Sequence, residues 1–231
     1  MTPILEQSLY FGVLLSVGGY FVGLWLKKRF RLAIFNPLLI AVVLVMAALC
    51  LLDLDYKKYE ESAQLLSWLL TPATVCLAVP LYQQMQLLRR QWKAVAAGIT
   101  AGVIAGILSV WGLCLLMGLE HAHYVTFLPK SITTAIGMGV SEELGGVVTI
   151  TVAAIVLTGV LGNILADGVA RLFRIEEPVA KGLATGTAAH AIGTAKALEW
   201  GEVEGAMSSL AIAVAGLMTV VAAPLAANWI R

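Results

Sequence analysis

Thr187, His190, Thr194, Lys196 and Glu199 are gathered in one stretch, Leu183 to Glu199, whose other residues are mostly alanine and glycine. The stretch is too polar for a lipid-facing span and too apolar for a loop. Polar groups at bilayer depth are costly, and their usual reason is function, in a cavity or against another helix. On a helix, Thr187, His190 and Thr194 stand at i, i+3 and i+7 and share one face. Alanine and glycine, Gly186 among them, let neighbouring backbones come close. Such a face can bind a small polar solute. With an unperturbed pKa near ~6.5, His190 can also carry a coupled proton.

Two more polar breaks offer related chemistry. Lys130-Ser131-Ile132-Thr133-Thr134 brings one cation and three hydroxyls to a point where a helix can start. A helix N-terminus there adds free amides and a partial positive charge, so the segment is a cradle for a small carboxylate. Thr71-Pro72, with Thr74 beside it, is also a helix-start signal, because Thr caps and Pro is favoured at the first helical position. Bland alternatives stand beside each. Pro72 can be a simple kink, Lys130 can snorkel to the surface, and His190 can be a packing residue. Lys196 and Glu199 can be a surface pair. Glu142 and Glu143 read as solvated, with a coupling-ion role as the alternative.

These residues sit in a membrane chain. Of 231 residues, 60% are hydrophobic and only 13% charged, and the mean hydropathy is +0.89. No water-soluble domain of this size needs that much apolar surface. A net charge of +1 leaves no basic face for nucleic acid. Cys50, Cys76 and Cys114 lie far apart in apolar runs, as small buried residues do, with no disulfide or metal pattern. No HExxH, nucleophile elbow or pair of membrane aspartates is present, so the chain does not read as an enzyme, and no cofactor is implied.

The apolar runs and loop charges predict an order of elements. Ser8–Leu26 is a first span whose charges (Lys27, Lys28, Arg29, Arg31) follow it, so it is no cleavable signal, and the N-terminus falls on the periplasmic side. Spans follow at Leu32–Leu52, opened by Asn36-Pro37, at Ala63–Tyr82 and at Ala94–Met117. Val125–Val140 is short and bounded by Gly145-Gly146; entering and leaving on the outer side, it puts Arg171, Arg174 and Lys181 in the cytoplasm. Val147–Ala166, Leu183–Glu199 and Gly205–Asn228 then cross, leaving Arg231 inside. The expectation is an all-α polytopic membrane protein, a single domain of about seven transmembrane helices plus one re-entrant segment, with helices broken near the midplane. Gly145, Gly146 and Gly193 are the candidate flexible points.

A repeat is also expected. The second, third and fourth spans match the last three in order and texture but run oppositely, which divides the chain into an extra span (1–31), a first repeat (32–117) and a second (125–228). Inverted repeats with interrupted helices point to a transporter with its site at the midplane. Small residues at Ala97, Ala101, Gly102 and Ala105-Gly106 suit close packing, within the protomer or across a homodimer.

Four blocks carry a family resemblance: NPLLIA (36–41), LTPATVCLAVPLY (70–82), LPKSITTAIGMGVSEELGG (128–146) and KGLATGTAAHAIGTAKALEWGEVEGAMSSLA (181–211). From about Asn36 to the C-terminus the chain resembles the LrgB/CidB family of bacterial inner-membrane proteins. The resemblance implies an antiholin-like regulator of murein hydrolase activity, encoded beside a small LrgA/CidA partner. The C-terminal half of the plant plastid glycolate/glycerate translocator is similar, which implies transport of small hydroxy- or keto-monocarboxylates. The chain carries no LrgA-like half, so the resemblance also implies a separate partner of that type.

Overall fold

The computed structural model describes residues 10–30 and 35–230, the side chain of Thr74 excepted. The beginnings of the spans expected from Ser8 and from Leu32, together with Arg231, lie outside these residues. All regular elements among the described residues are helices. They divide into two units, Met1–Cys76 and Leu77–Arg231.

The first unit holds α1 (Phe11–Phe30), α2 (Pro37–Leu51), α3 (Tyr56–Ser62) and α4 (Gln64–Cys76). Asn36 caps α2 as its type suggests: its Oδ1 accepts from the amides of Leu38 and Leu39 at 2.9 and 3.2 Å, with Pro37 in the first turn. Glycines bring α1 and α2 together. A Cβ on Gly19 would lie 3.3 Å from Ala41 Cα, and one on Gly23 only 2.7 Å from Pro37 Cα. The interruption expected at Thr71-Pro72 is not there: α4 runs through Pro72 and ends at Cys76. One missing amide removes one bond, and the turn after it stays helical.

The second unit holds α5 (Ala78–Gln83), α6 (Met85–Met117), α7 (His121–Phe127), α8 (Thr134–Glu143), α9 (Val148–Leu172), α10 (Pro178–Trp200) and α11 (Glu202–Ala227). α6 kinks at Gln91 and stops at Gly118, whose φ of 62° suits a glycine C-cap. Four helices among the described residues are long and apolar enough to cross a membrane: the run Gln64–Gln83, α6, α9 and α11. α10 is not one of them.

α7 and α8 form a first hairpin, from 121 to 143. Its two ends meet: Thr126 Oγ1 accepts from the Val147 amide at 2.8 Å, and Thr151 Oγ1 bonds both Thr126 O and Ser141 Oγ. The chain thus reverses within the segment Val125–Val140. Its tip is the turn at 128–133, where Thr133 becomes the N-cap of α8.

α10 is a second hairpin, which overturns the crossing expected for Leu183–Glu199. Its helical path breaks at Ala189 (φ −127°, ψ 15°) and His190 (φ 42°, ψ −137°), and the chain folds back. A Cβ on Gly193 would lie 2.7 Å from Thr185 O, although eight residues of straight helix span about 12 Å. Both ends reach the C-terminal end of α9. Lys181 and Trp200 line a pocket with Ala166 and Ala170, and Lys196 pairs with Asp167. The break therefore lies at Ala189-His190, between the Gly186-Thr187 and Gly193 positions expected for it; Gly193 instead gives the second arm room against the first.

The reversal changes the end of the chain. α9 leads from the His121 end to an end carrying Arg171 and Arg174, and α11 leads back. Gly182 packs on Glu204, while Tyr124 Oη donates to Ala226 O at 3.0 Å and His121 Nδ1 donates to Ile230 O at 2.7 Å. The last described residue thus shares an end with His121, not with Arg174 as expected.

A shift of 56 residues carries the first hairpin and α9 onto the second hairpin and α11. It superposes Ala135-Ile136-Gly137 on Ala191-Ile192-Gly193, Gly145 on Gly201 and Val147 on Val203. The contacts follow the same register. Gly137 faces Pro129 O as Gly193 faces Thr185 O, and Thr126 bonds Thr151 as Gly182 packs on Met207.

Candidate functional site

The tips of the two hairpins meet beside α6, and glycine permits the approach. A Cβ on Gly102 would lie 2.5 Å from Thr187 Cγ2, and one on Gly98 would lie 3.4 Å from Leu183 Cδ1. Between α6, α9 and the first arm of α10 is a cavity of about 700 Å³. Its wall on α6 is small, with Ala94, Gly98, Gly102 and Gly106, and runs from Gln91 to Ser109, about 27 Å of helix. Gln91 and exposed Glu177 rim the arginine end; Lys130 and Ser131 stand at the first hairpin's tip.

Lys130 is the cation of this cavity. Its Nζ donates to Ser131 Oγ at 3.0 Å, and no carboxylate pairs with it among the described residues. An ammonium so placed has a vacancy for an anion, and a charge-assisted bond to one is stronger than a neutral bond. Thr187 faces it from the second hairpin. Its Oγ1 is buried and has no hydrogen-bond partner among the described residues, whereas Thr185 on the same arm satisfies its hydroxyl on Lys181 O at 2.7 Å.

The remaining expected residues do other things. Thr133 caps α8 by backbone conformation, without a side-chain bond, and Thr134 opens that helix. Gly186 lies flat on α11, with Ser208 Cα 2.8 Å from the position of a Cβ. Thr194 Oγ1 bonds His190 O at 3.0 Å and Ser208 Oγ at 2.7 Å. His190 is buried, and its Nε2 lies 3.0 Å from Ile155 O; a carbonyl only accepts, so Nε2 carries the proton. The ring fits because residue 159 is glycine: a Cβ there would come within 2.8 Å of His190 Cε1. His190 thus pins the broken helix to α9, and holds a φ of 42° that costs a non-glycine residue roughly 1–3 kcal/mol. Glu142 and Glu143 are exposed at the end of α8. Gly145 (φ 80°) and Gly146 turn the chain into α9. Thr71 and Pro72 are exposed on α4 of the first unit, and the Thr74 side chain lies outside the described residues.

Sequence reasoning passed over Gly98, Gly159 and Thr219. Thr219 of α11 lines a small void with Ser131 and Thr187. The signal for Thr219's neighbours lay in the shift that places Ser131 on Thr187, with an AIG tripeptide starting four residues beyond each.

Comparison with known proteins agrees with the blocks that carried the resemblance. The profile of the LrgB-like family matches residues 16–229. Proteins called antiholin-like protein LrgB from Bacillus mycoides, Bacillus cereus and Bacillus anthracis are each 37% identical over 226 residues, covering 97% of this chain and 96% of theirs. No solved structure matches. A 37% identity over 97% of the chain is shared descent, and the chain belongs to the LrgB-like family of multi-pass membrane proteins.

Proposed function

We propose that this chain is a secondary transporter of small hydroxy- or keto-monocarboxylates, working by alternating access. The observation that carries the reading is Lys130, a cation without a carboxylate partner beside a cavity of about 700 Å³ between two opposed hairpins. Lysine supplies one charge and Ser131 a hydroxyl, which suits one carboxylate. Opposed hairpins of matching register are what an inverted repeat provides for opening a midplane site to either side. Lys and Arg cluster at the arginine end, so that end faces the cytoplasm of the inner membrane and the His121 end faces the periplasm. His190 acts here by holding the break that positions Thr187. A homodimer and a small LrgA/CidA-type partner belong to the same proposal.

The second reading is an antiholin-like membrane regulator without transport of its own. The name that the relatives carry favours it directly, more than it favours transport. Uptake of radiolabelled glycolate and pyruvate into proteoliposomes separates the two. Saturable uptake that Lys130→Met reduces at least tenfold supports transport. No uptake by the folded protein, alone or with an LrgA-type partner, leaves the regulator.

A further inference from the structure

Off the main cavity lies an alcove of about 20 Å³. The two share Gly102, Gly106, Ser131 and Thr187, so one opens beside the other. A volume of roughly 10–15 Å³ suffices for one water, so the alcove holds one oxygen atom with its hydrogen and little else. Its lining is apolar except at three hydroxyls, on Ser131 of the first hairpin, Thr187 of the second and Thr219 of α11. Thr187 and Thr219 are 7% and 5% exposed. The Thr187 hydroxyl makes no bond among the described residues, and a buried hydroxyl without a partner is destabilising.

We infer that this alcove is a subsite for the oxygen on carbon 2 of the substrate, and that Thr187 is the residue that reads it. The inference rests on the transport reading. With the carboxylate on Lys130 and Ser131, the neighbouring carbon stands at the alcove mouth. A 2-hydroxyl or 2-oxo group fills the alcove and pairs Thr187, whereas acetate leaves that hydroxyl unpaired. A site built to bond a hydroxyl discriminates strongly against the analogue that lacks it, because its own polar groups are stranded.

The test is binding of glycolate and acetate to the full chain in lipid nanodiscs, read as protection against thermal unfolding, for wild type, Thr187→Val, Thr187→Ser and Thr219→Val. Wild type is expected to bind glycolate at least tenfold more tightly than acetate. Thr187→Val should weaken glycolate about three- to tenfold while leaving acetate unchanged, and Thr187→Ser, which keeps the hydroxyl, should restore the preference. Thr219→Val should act in the same direction and serves if Thr187→Val does not fold. Equal binding of glycolate and acetate by wild type means the alcove holds a water only; that overturns the subsite and leaves transport standing. A parallel loss of both acids in the valine variants also overturns it. Binding of neither acid by wild type overturns the transport reading and the subsite with it.

Discussion

The hairpins at 121–143 and 178–200 share a register of short sequence matches, yet they turn differently, the first through residues 128–133 and the second at Ala189-His190. Where the first meets α9, Thr151 Oγ1 bonds Thr126 O and Ser141 Oγ, and Thr126 Oγ1 accepts from the Val147 amide. The second lies flat on α11 at Gly182 and Gly186 and is joined to it by the hydrogen bond between Thr194 and Ser208. At matching positions the first carries Lys130 and the second Gly186, where a side chain would strike Ser208. At the start of the second arm the first carries Thr134 in ordinary helix, and the second carries His190 at φ 42°. Matched positions in the two hairpins thus carry two tasks. One tip supplies the charge, and the other supplies a strained, tightly packed turn that sets where Thr187 stands.

The sharpest way to break this comparison is to ask where each hairpin begins and ends. Cysteines placed at Glu176 and Glu202 should be labelled from one side of the membrane, and cysteines at Glu120 and Glu143 from the other. Labelling of 176 and 202 from opposite sides would show that α10 crosses, and the second hairpin would be lost. The matched pair at 130 and 186 should then part company. Gly186→Ala forces a methyl against the Ser208 backbone and should cost about 1–3 kcal/mol of stability. Lys130→Met should leave melting unchanged and weaken anion binding about 10- to 100-fold. A stable Gly186→Ala would mean that the second hairpin is not packed as described.

The pair at 134 and 190 gives a smaller contrast. His190→Asn cannot reach Ile155 O, so it should cost about 1–2 kcal/mol in denaturant unfolding; Thr134→Ala should stay within about 0.5 kcal/mol. Equal costs would erase the distinction between the tips. The smallest effect belongs to the ion pairs at the arginine end. Lys196 bonds Asp167 at 2.8 Å and Glu199 at 3.2 Å, whereas its counterpart Val140 bears no charge. The carboxylates of these pairs are exposed and Lys196 is half-buried, so Lys196→Met should shift stability by about 1 kcal/mol.

Much of this was legible in the residues. Composition placed the chain in the membrane, Asn36-Pro37 marked a capped helix, and the polar run from Lys130 to Thr134 marked both a reversal and a helix start. The second hairpin was not legible by the same means. Leu183–Glu199 has the length of a crossing helix, and a crossing there also satisfied the charge bias, because Arg231 was the one basic residue whose side it changed. Periodicity reports the face of a helix and not its direction. The polarity of Thr187, His190 and Thr194 was correctly a sign of burial, but two of the three serve the turn and only Thr187 faces the cavity. The better clue was the AIG tripeptide at 135–137 and again at 191–193, too short to stand out before both copies were found at matching turns. Pro72 misled for the opposite reason: its helix-start chemistry is real, and a single lost amide bond did not stop α4.

The packing of the second hairpin also dictates an order of assembly. Its arms rest on α11, which the ribosome makes later, and α10 is not apolar enough to enter lipid by its own partition energy. Until α11 is in place, the break at Ala189-His190 has α9 on one side, through Ile155 O, and lacks the packing of Ser208 on the other. Residues 178–200 are therefore expected to complete their packing only as α11 arrives. A nascent chain stopped after Trp200 should keep this segment open to water-soluble reagents, and the same segment should become protected once translation has passed Ala227.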